Sequence, residues 1–377
     1  MTRQTVAHVD LDALACNARA IRAFMAAGRG GTVPALAGVV KADAYGHGAV
    51  QAARTLVGAG VAVLACADVD EGLELRQAGL SVPILVFGAF SLGDLDGIFD
   101  GRLTPTISTP TAARRLQEAA ARRGVRLRCH LGIDTGMLRL GLRHDNLART
   151  VPEVLAAPNL ELEGIYTHFA TADVPGDDLF VRQCRNFESA RRALAALGVR
   201  GCMTHAANSG ALLAEPATWF DLVRPGLLMY GVAPRAFEGR IAVRPVMSLR
   251  SRVAAVKGVR VGETIGYGGR FVARRPTTMA VVPAGYADGL DTRLEGRGSA
   301  LVRGLRVPIV GAVSMDMIVL DVTGMAVEPG DEVVLTGRQG DDEITVGEMA
   351  GWVGTIPYEL LCRVGNRVAR VYHSPAA

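Results

Sequence analysis

Between residues 35 and 230 the sequence keeps one beat: a short apolar run, a turn, then a longer stretch with helical periodicity. The apolar runs are "ALAGVV" (35–40), "VAVLAC" (61–66), "PILVF" (83–87), "TPTIS" (104–108), "RLRCHLGI" (126–133), "LEGIYTHF" (162–169), "RGCMTHA" (201–207) and "DLVRPGLLMY" (221–230). Helical stretches lie between most of them, at 48–59, 68–78, 110–123 and 178–197. Strands that alternate with helices pair in parallel, because each helix carries the chain back to the edge where the last strand began. Eight such units fit a closed barrel better than an open sheet, so the pattern predicts an N-terminal (β/α)8 barrel of the TIM type. An amphipathic helix precedes it, with Leu11, Leu14, Ala18, Ile21 and Met25 at three- and four-residue spacing and Asp10 or Asp12 available as its cap.

Beyond residue 237 the texture changes. Valine-rich segments separated by glycine, such as "SRVAAVKGVRVGETIGYG" and "SALVRGLRVPIVGAVSMDMIVLDV", replace the helical stretches. They predict an all-β second domain at 238–377 after a barrel at 1–237, giving an α/β chain with a C-terminal β domain. Apolar residues make up 49% of the 377 and charged residues 21%, a balance that builds cores rather than disorder.

Several classes of function fall away. The net charge of +4 comes from scattered arginines, which argues against a nucleic-acid partner. No apolar run has the length of a membrane span, and the N-terminus lacks the apolar core of a signal peptide. Cys16, Cys66, Cys129, Cys184, Cys202 and Cys362 show no metal-like spacing and read as thiols of a cytoplasmic protein.

On a barrel, reactive groups gather at the C-terminal ends of the strands. Lys41 ends the first strand, Asp134 and Arg139 follow the fifth, and His168 ends the sixth. His205, Asn208 and Ser209 close the seventh, while Arg224 and Gly226 belong to the eighth. Singly, each has an ordinary reading: a surface lysine, a core histidine, a turn cap. Together they recur at one mouth. The "SG" at 209–210 and the "RPGLL" after the last strand offer a hydroxyl and free backbone amides, the makings of a small-phosphate seat. Neither GxxxxGK[ST] nor a clean GxGxxG is present. A reactive lysine beside such a seat points to pyridoxal 5'-phosphate as cofactor.

At these residues the sequence resembles the alanine racemase family, from about residue 5 to residue 372. The resemblance is carried by "VVKADAYGHG", "DTGMLRLG", "THFATAD", "HAANSGA", "VRPGLLMYG", "GYGGRF", "VPAGYADG", "GAVSMD" and "GTIPYELLCRVGNRV". It implies that Lys41 carries the cofactor and moves a proton on one face of a small amino acid. Tyr267 would be the opposite base, reaching the partner's site in a head-to-tail homodimer. Tyr45, Ser209, Gly226, Leu227 and Tyr358 would hold the phosphate, and His168 would support Arg224 at the pyridine nitrogen. Arg139 and the Met315 backbone would meet the substrate carboxylate, and Tyr286 would line the entrance. The implied activity is interconversion of L- and D-alanine in the cytoplasm, with D-alanine as a peptidoglycan precursor.

The chemistry is consistent with these residue types. Inverting a stereocentre takes a proton from one face and returns one to the other, so two bases are needed. A guanidinium holds its proton and leaves the ring nitrogen a weaker electron sink than a carboxylate partner would, which favours racemisation over transamination. Many relatives carry a carbamylated lysine two residues before Asp134, where this chain has Gly132. That departure opens the alternative of a racemase with broader specificity. A related decarboxylase of basic amino acids would carry a carboxylate in place of Arg224 and a cysteine in place of Tyr267. A non-catalytic pyridoxal-phosphate carrier would lack residues 238–377.

Overall fold

The computed structural model describes residues 4–28, 31–88, 91 and 95–374. Strand β1 (Val6–Asp10) runs directly into helix α1 (Leu11–Gly28). The Asp10 carboxylate accepts a hydrogen bond from the Ala13 amide at 2.8 Å, so Asp10 caps the helix. Asp12 pairs instead with Arg244 at 2.7 Å. Leu11, Leu14, Ala18, Ile21 and Met25 are all buried, as their spacing predicts.

The barrel strands are β2 (Ala35–Val39), β3 (Val63–Cys66), β4 (Ile84–Val86), β5 (Thr104–Ile107), β6 (Leu127–Asp134), β8 (Leu160–Tyr166), β9 (Met203–His205) and β10 (Leu222–Val223). A two-residue strand, β7 (Leu142–Arg143), lies on β6 outside the ring. Every ring neighbour pairs in parallel, and β10 returns to β2 through Leu222↔Ala35 and Val223↔Leu36. The ring is closed. Local chemistry sets its helices: Thr109 accepts from the Ala112 amide ahead of Pro110–Arg123, and Gly124 ends that helix in the left-handed region. Asp177 accepts from the amides of Leu179 and Phe180 to start Asp178–Ala196.

The last two ring strands are shorter than their apolar runs. Beyond His205 the chain turns into a helix capped by Asn208, whose side chain accepts from the Ala211 amide at 3.0 Å. Beyond Val223, Pro225 has no amide hydrogen to continue the ladder. The residues that leave the ladder are those that face the barrel mouth.

The second unit is one large, mostly antiparallel sheet. Its order is Ala255–Val259, Thr277–Val282, Ile318–Asp321, Leu305–Val310, Ser299–Val302, Glu332–Gln339, Met247–Arg252, β1 and Ala369–His373. The first strand of the chain is therefore part of this sheet, where the boundary at 237 places it with the barrel. β1 lies antiparallel to Met247–Arg252 and parallel to Ala369–His373. Its alternating burial suits a half-covered strand of such a sheet.

One apolar cluster runs from the barrel into the sheet, joining residues such as Leu14, Leu36, Leu64, Leu249 and Val333. A smaller cluster of Val259, Ile265, Ala273 and Val310 lies beneath a glycine-rich hairpin at 264–272. All six cysteines are free thiols. Among the described residues, no helix is long and apolar enough to cross a membrane.

Candidate active site

The chain leaves β2 at Val39 and enters an unusual turn. Ala42, Asp43, Ala44 and Tyr45 all sit at φ 53°, in the left-handed region. For residues with a Cβ this costs roughly 1–2 kcal/mol each, so surrounding contacts must hold the turn. Glu71 supplies one of them, accepting from the Ala42 amide at 2.6 Å while its other oxygen is anchored by the Ala67 amide at 2.6 Å. Asp43 accepts from the Ala49 amide at 2.7 Å, and Arg370, from the last strand, donates to the Gly46 carbonyl at 3.1 Å. The turn delivers Lys41 and Tyr45 to the same cavity.

That cavity, of about 160 Å³, lies at the C-terminal mouth of the barrel. Of the residues singled out in the sequence, Lys41, Tyr45, Asp134, Arg139, His168, Asn208, Ser209, Arg224, Gly226 and Tyr358 line it. Burial lowers the Lys41 ammonium from its ordinary range and Arg139 adds to this, against Glu71 and Cys362, which favour the charged form. Among the described residues Lys41 has no salt-bridge partner. Its amine is thus closer to a usable base than a surface lysine.

Arg224 forms the floor. It is 4% exposed, and its guanidinium donates to His205 Nδ1 at 2.7 Å and to the carbonyls of Thr167 and Ala206 at 2.9 and 3.3 Å. Because His205 Nδ1 accepts, its Nε2 carries the hydrogen and donates to His130 Nδ1 at 2.8 Å. The support for Arg224 is therefore His205, not His168. Strand register explains this: His205 lies opposite Leu222 on β10, whereas His168 lies past the end of β8. Tyr166 stacks on His205 with ring centroids 4.8 Å apart and faces the guanidinium at 5.0 Å.

Burial keeps this floor in one protonation state. The His205 imidazolium is strongly disfavoured, first by burial and then by the Arg224 charge. His130 is pushed down to about 4 and His168 to about 3 for the same leading reason. Arg224 is lowered only to about 10 and stays cationic near neutrality. One permanent cation therefore rests on two neutral imidazoles.

Beside it lies a set of converging donors. Ser209 Oγ accepts from the Gly226 amide at 3.0 Å and, more loosely, from the Leu228 amide at 3.4 Å. A Cβ at residue 226 would come within 2.6 Å of the Tyr45 hydroxyl oxygen, so only glycine leaves the space open. The Tyr45 ring packs edge-on against Tyr358 at 5.9 Å, and neither hydroxyl has a hydrogen-bond partner among the described residues. Burial raises both phenols, keeping them as neutral donors. Leu227 is buried behind this seat and lines the adjoining groove rather than the cavity.

Tyr267, Met315 and Tyr286 are not brought to this cavity within the chain. Tyr267 sits at the tip of the 264–272 hairpin and is 78% exposed. Met315 and Tyr286 lie on two loops held together by the Tyr286 and Ala287 amides, which donate to the carbonyls of Ser314 and Met315. Arg367 ties these loops, donating to Asp288, Asp316 and the Met315 carbonyl.

Gly132 lines the cavity wall, and a Cβ there would meet Thr106 Cγ2 at 3.2 Å and Ser108 Oγ at 3.7 Å. Arg139 is exposed at the rim and has no acidic partner among the described residues.

His130 was not among the residues singled out. Its signal is faint: an inward-facing histidine laterally paired with a glycine, since a Cβ at Gly164 would lie 2.6 Å from the imidazole.

Comparison with known proteins bears on this arrangement. Residues 9–234 match the alanine racemase N-terminal domain and residues 246–372 the alanine racemase C-terminal domain. The alanine racemase of Symbiobacterium thermophilum is 40% identical over 377 residues, covering 100% of this chain and 98% of that protein. The crystal structure of alanine racemase from D-cycloserine-producing Streptomyces lavendulae superposes with a TM-score of 0.94 at 36% identity, covering 100% of this chain and 98% of that one. The Bartonella henselae alanine racemase, described with covalently bound pyridoxal phosphate, superposes with a TM-score of 0.87 at 27% identity, covering 98% of this chain and 99% of that one. With both domains matched in order along a closed barrel and its β domain, this chain belongs to the alanine racemase family of isomerases.

Proposed function

We propose that this chain interconverts L-alanine and D-alanine with pyridoxal 5'-phosphate as cofactor, as a homodimer whose two chains share each site. The observation that carries the reading is the convergence of Lys41, Arg224 and the Ser209–Gly226 seat in one cavity. The residues fit the cofactor: the glycine-lined space at Gly226 and the unpartnered hydroxyls of Tyr45 and Tyr358 suit a phosphate. Arg224 presents a fixed cationic donor suited to a pyridine nitrogen. Bound there, the cofactor would delocalise the electron pair left when the substrate α-proton departs.

The protein's own groups supply the rest. Lys41 Nζ, lowered by burial and by Arg139, accepts the α-proton on one face and can return it. The opposite face requires a second base, and Tyr267 of the partner subunit is that base. Its exposure in a single chain supports this assignment, as does the apolar surface of Leu138, Leu140, Met315 and Ile356 that a partner would cover. The Arg139 guanidinium binds the substrate carboxylate. Arg224 keeps its proton while the neutral His205 and His130 hold its plane, so a pyridine nitrogen placed there would meet a hydrogen-bond donor rather than a proton source, which would favour reprotonation at the α-carbon. Six free thiols favour a reducing compartment such as the cytoplasm, where D-alanine would serve as a peptidoglycan precursor.

Gly132 supports a second reading, a racemase accepting side chains larger than methyl, because the wall beside Thr106 carries no side chain at that position. Incubation of the holoenzyme in heavy water with a panel of L-amino acids separates the readings. α-Deuterated D-alanine forming fastest supports the first, and faster turnover of a larger amino acid supports the second. A yellow protein that exchanges nothing would refute both.

A further inference from the structure

The residue between the two glycines of "YGHG" has a task that the reaction scheme does not use. We propose that His47 is a positioning residue: its Nδ1–H, shared between the carbonyls of Ala44 and Tyr45, holds the left-handed turn that sets Lys41 and Tyr45 at the cavity. The inference rests on the reading of those two residues as cofactor contacts.

The geometry fixes the tautomer. His47 Nδ1 lies 2.9 Å from the Ala44 carbonyl oxygen and 3.0 Å from that of Tyr45. Carbonyls only accept, so Nδ1 carries the hydrogen and shares it between them. The ring is fully buried and lies 4.6 Å from the Tyr230 ring. Its other nitrogen, Nε2, is buried with no hydrogen-bond partner among the described residues. For packing alone, a leucine or phenylalanine would fill this space without stranding an acceptor. The His47 and Gly48 amides already donate to the carbonyls of Ala44 and Asp43 at 3.2 and 2.9 Å, and what the histidine side chain adds is a further donor aimed into the turn, one that also reaches the Tyr45 carbonyl. Burial favours the neutral ring and so preserves this arrangement.

The position also explains why the donor matters. Glu71 and Asp43 bind amides at the edges of the turn, and Arg370 binds the Gly46 carbonyl beyond it. The His47 imidazole joins the backbone amides of residues 47 and 48 in binding carbonyls of the left-handed residues themselves, and it is the donor to the Tyr45 carbonyl. Relaxing the turn toward ordinary backbone angles would rotate Lys41 and the Tyr45 ring away from each other, loosening both ends of the cofactor seat.

The test titrates apo-protein with pyridoxal phosphate, following cofactor absorbance, for the parent and for His47→Leu, His47→Asn and His47→Gln. An asparagine amide NH2 falls near the Nδ1 position and a glutamine amide near Nε2. His47→Leu and His47→Gln should bind the cofactor at least tenfold more weakly, with a shifted absorbance maximum. His47→Asn should recover to within about threefold of the parent. Trp219→Phe, at a fully buried residue that donates to the Leu212 carbonyl, should lower the melting temperature but leave cofactor affinity unchanged. Equal affinities for the Asn and Gln variants would overturn the proposal, and they decide it even if His47→Leu does not fold. Borohydride fixation with peptide mapping tests the underlying reading separately: cofactor fixed at a residue other than Lys41 would refute that reading whatever His47 does.

Discussion

Arg224 is 4% exposed and Tyr267 is 78% exposed, yet the proposed reaction needs both. The barrel mouth is finished within one chain. Its cation and its two neutral imidazoles are bonded in a chain, its glycine-lined seat is bonded within itself, and both are buried. The hairpin of the β domain is the opposite: a tyrosine on a glycine-rich tip over a four-residue apolar cluster, with its side chain in solvent. A buried site can preorganise charge before substrate arrives. An exposed residue acquires a fixed environment only when something covers it, so in the proposed reaction half of the site depends on association.

The sharpest way to break the comparison is to separate the halves. Lys41→Ala and Tyr267→Phe should each lower racemisation on the order of 10³-fold. Mixing the two inactive proteins under subunit exchange should restore activity, because one of the two shared sites in a mixed dimer then holds both native residues. No recovery would place Tyr267 in its own chain's site and remove the contrast.

Within the barrel, Arg224→Glu should cost about 10²-fold in racemisation and raise pyruvate formation from alanine, read by a coupled dehydrogenase assay. Unchanged partitioning between the two products would sink the role given to the guanidinium. Gly226→Ala should weaken pyridoxal phosphate binding about tenfold by driving a methyl into the Tyr45 hydroxyl, and equilibrium titration measures it.

The buried imidazoles make a pH prediction. His130 is near 4 in the folded chain against an ordinary 6.5, so the unfolded chain binds its proton first as pH falls. Stability is therefore fully present above about pH 6.5 and is lost as pH drops toward 4. Between pH 7 and pH 5 this one residue should account for about 2 kcal/mol, and His130→Gln should flatten the urea-midpoint profile by that amount. Smallest of all, Tyr267→Ala should leave monomer unfolding within about 0.5 kcal/mol of the parent, whereas Tyr45→Ala should lose about 3 kcal/mol.

Legibility in the sequence follows the same divide. The eight ring strands could be read because alternation with helices repeats and most runs are apolar; the polar "TPTIS", with Ile107 as its one aliphatic residue, was readable mainly from its place in the beat. Lys41, His168, Ser209 and Arg224 were readable as strand-end polar groups. The partner of Arg224 was not: His168 and His205 look alike in sequence, and only the register that sets His205 beside Leu222 chooses between them. His130 stayed hidden because an inward strand position is normally apolar. The hairpin carries no burial periodicity, so Tyr267 was accessible only through family resemblance. β1 was missed because five residues beside a strong helix signal give no clue that their partners lie more than two hundred positions away.

That strand has a consequence for how the chain is made. β1 leaves the ribosome long before its parallel neighbour Ala369–His373. At roughly 5–20 residues per second, β1 waits roughly 20–70 s for that edge to be covered. Pairing with Met247–Arg252 protects one side earlier. The other side closes only when that later strand emerges and His8 Nδ1 comes within 2.8 Å of His373 Nε2. A nascent chain stalled before Ala369–His373 would thus expose an open sheet edge along β1, where chaperones or a second unfinished copy could take hold.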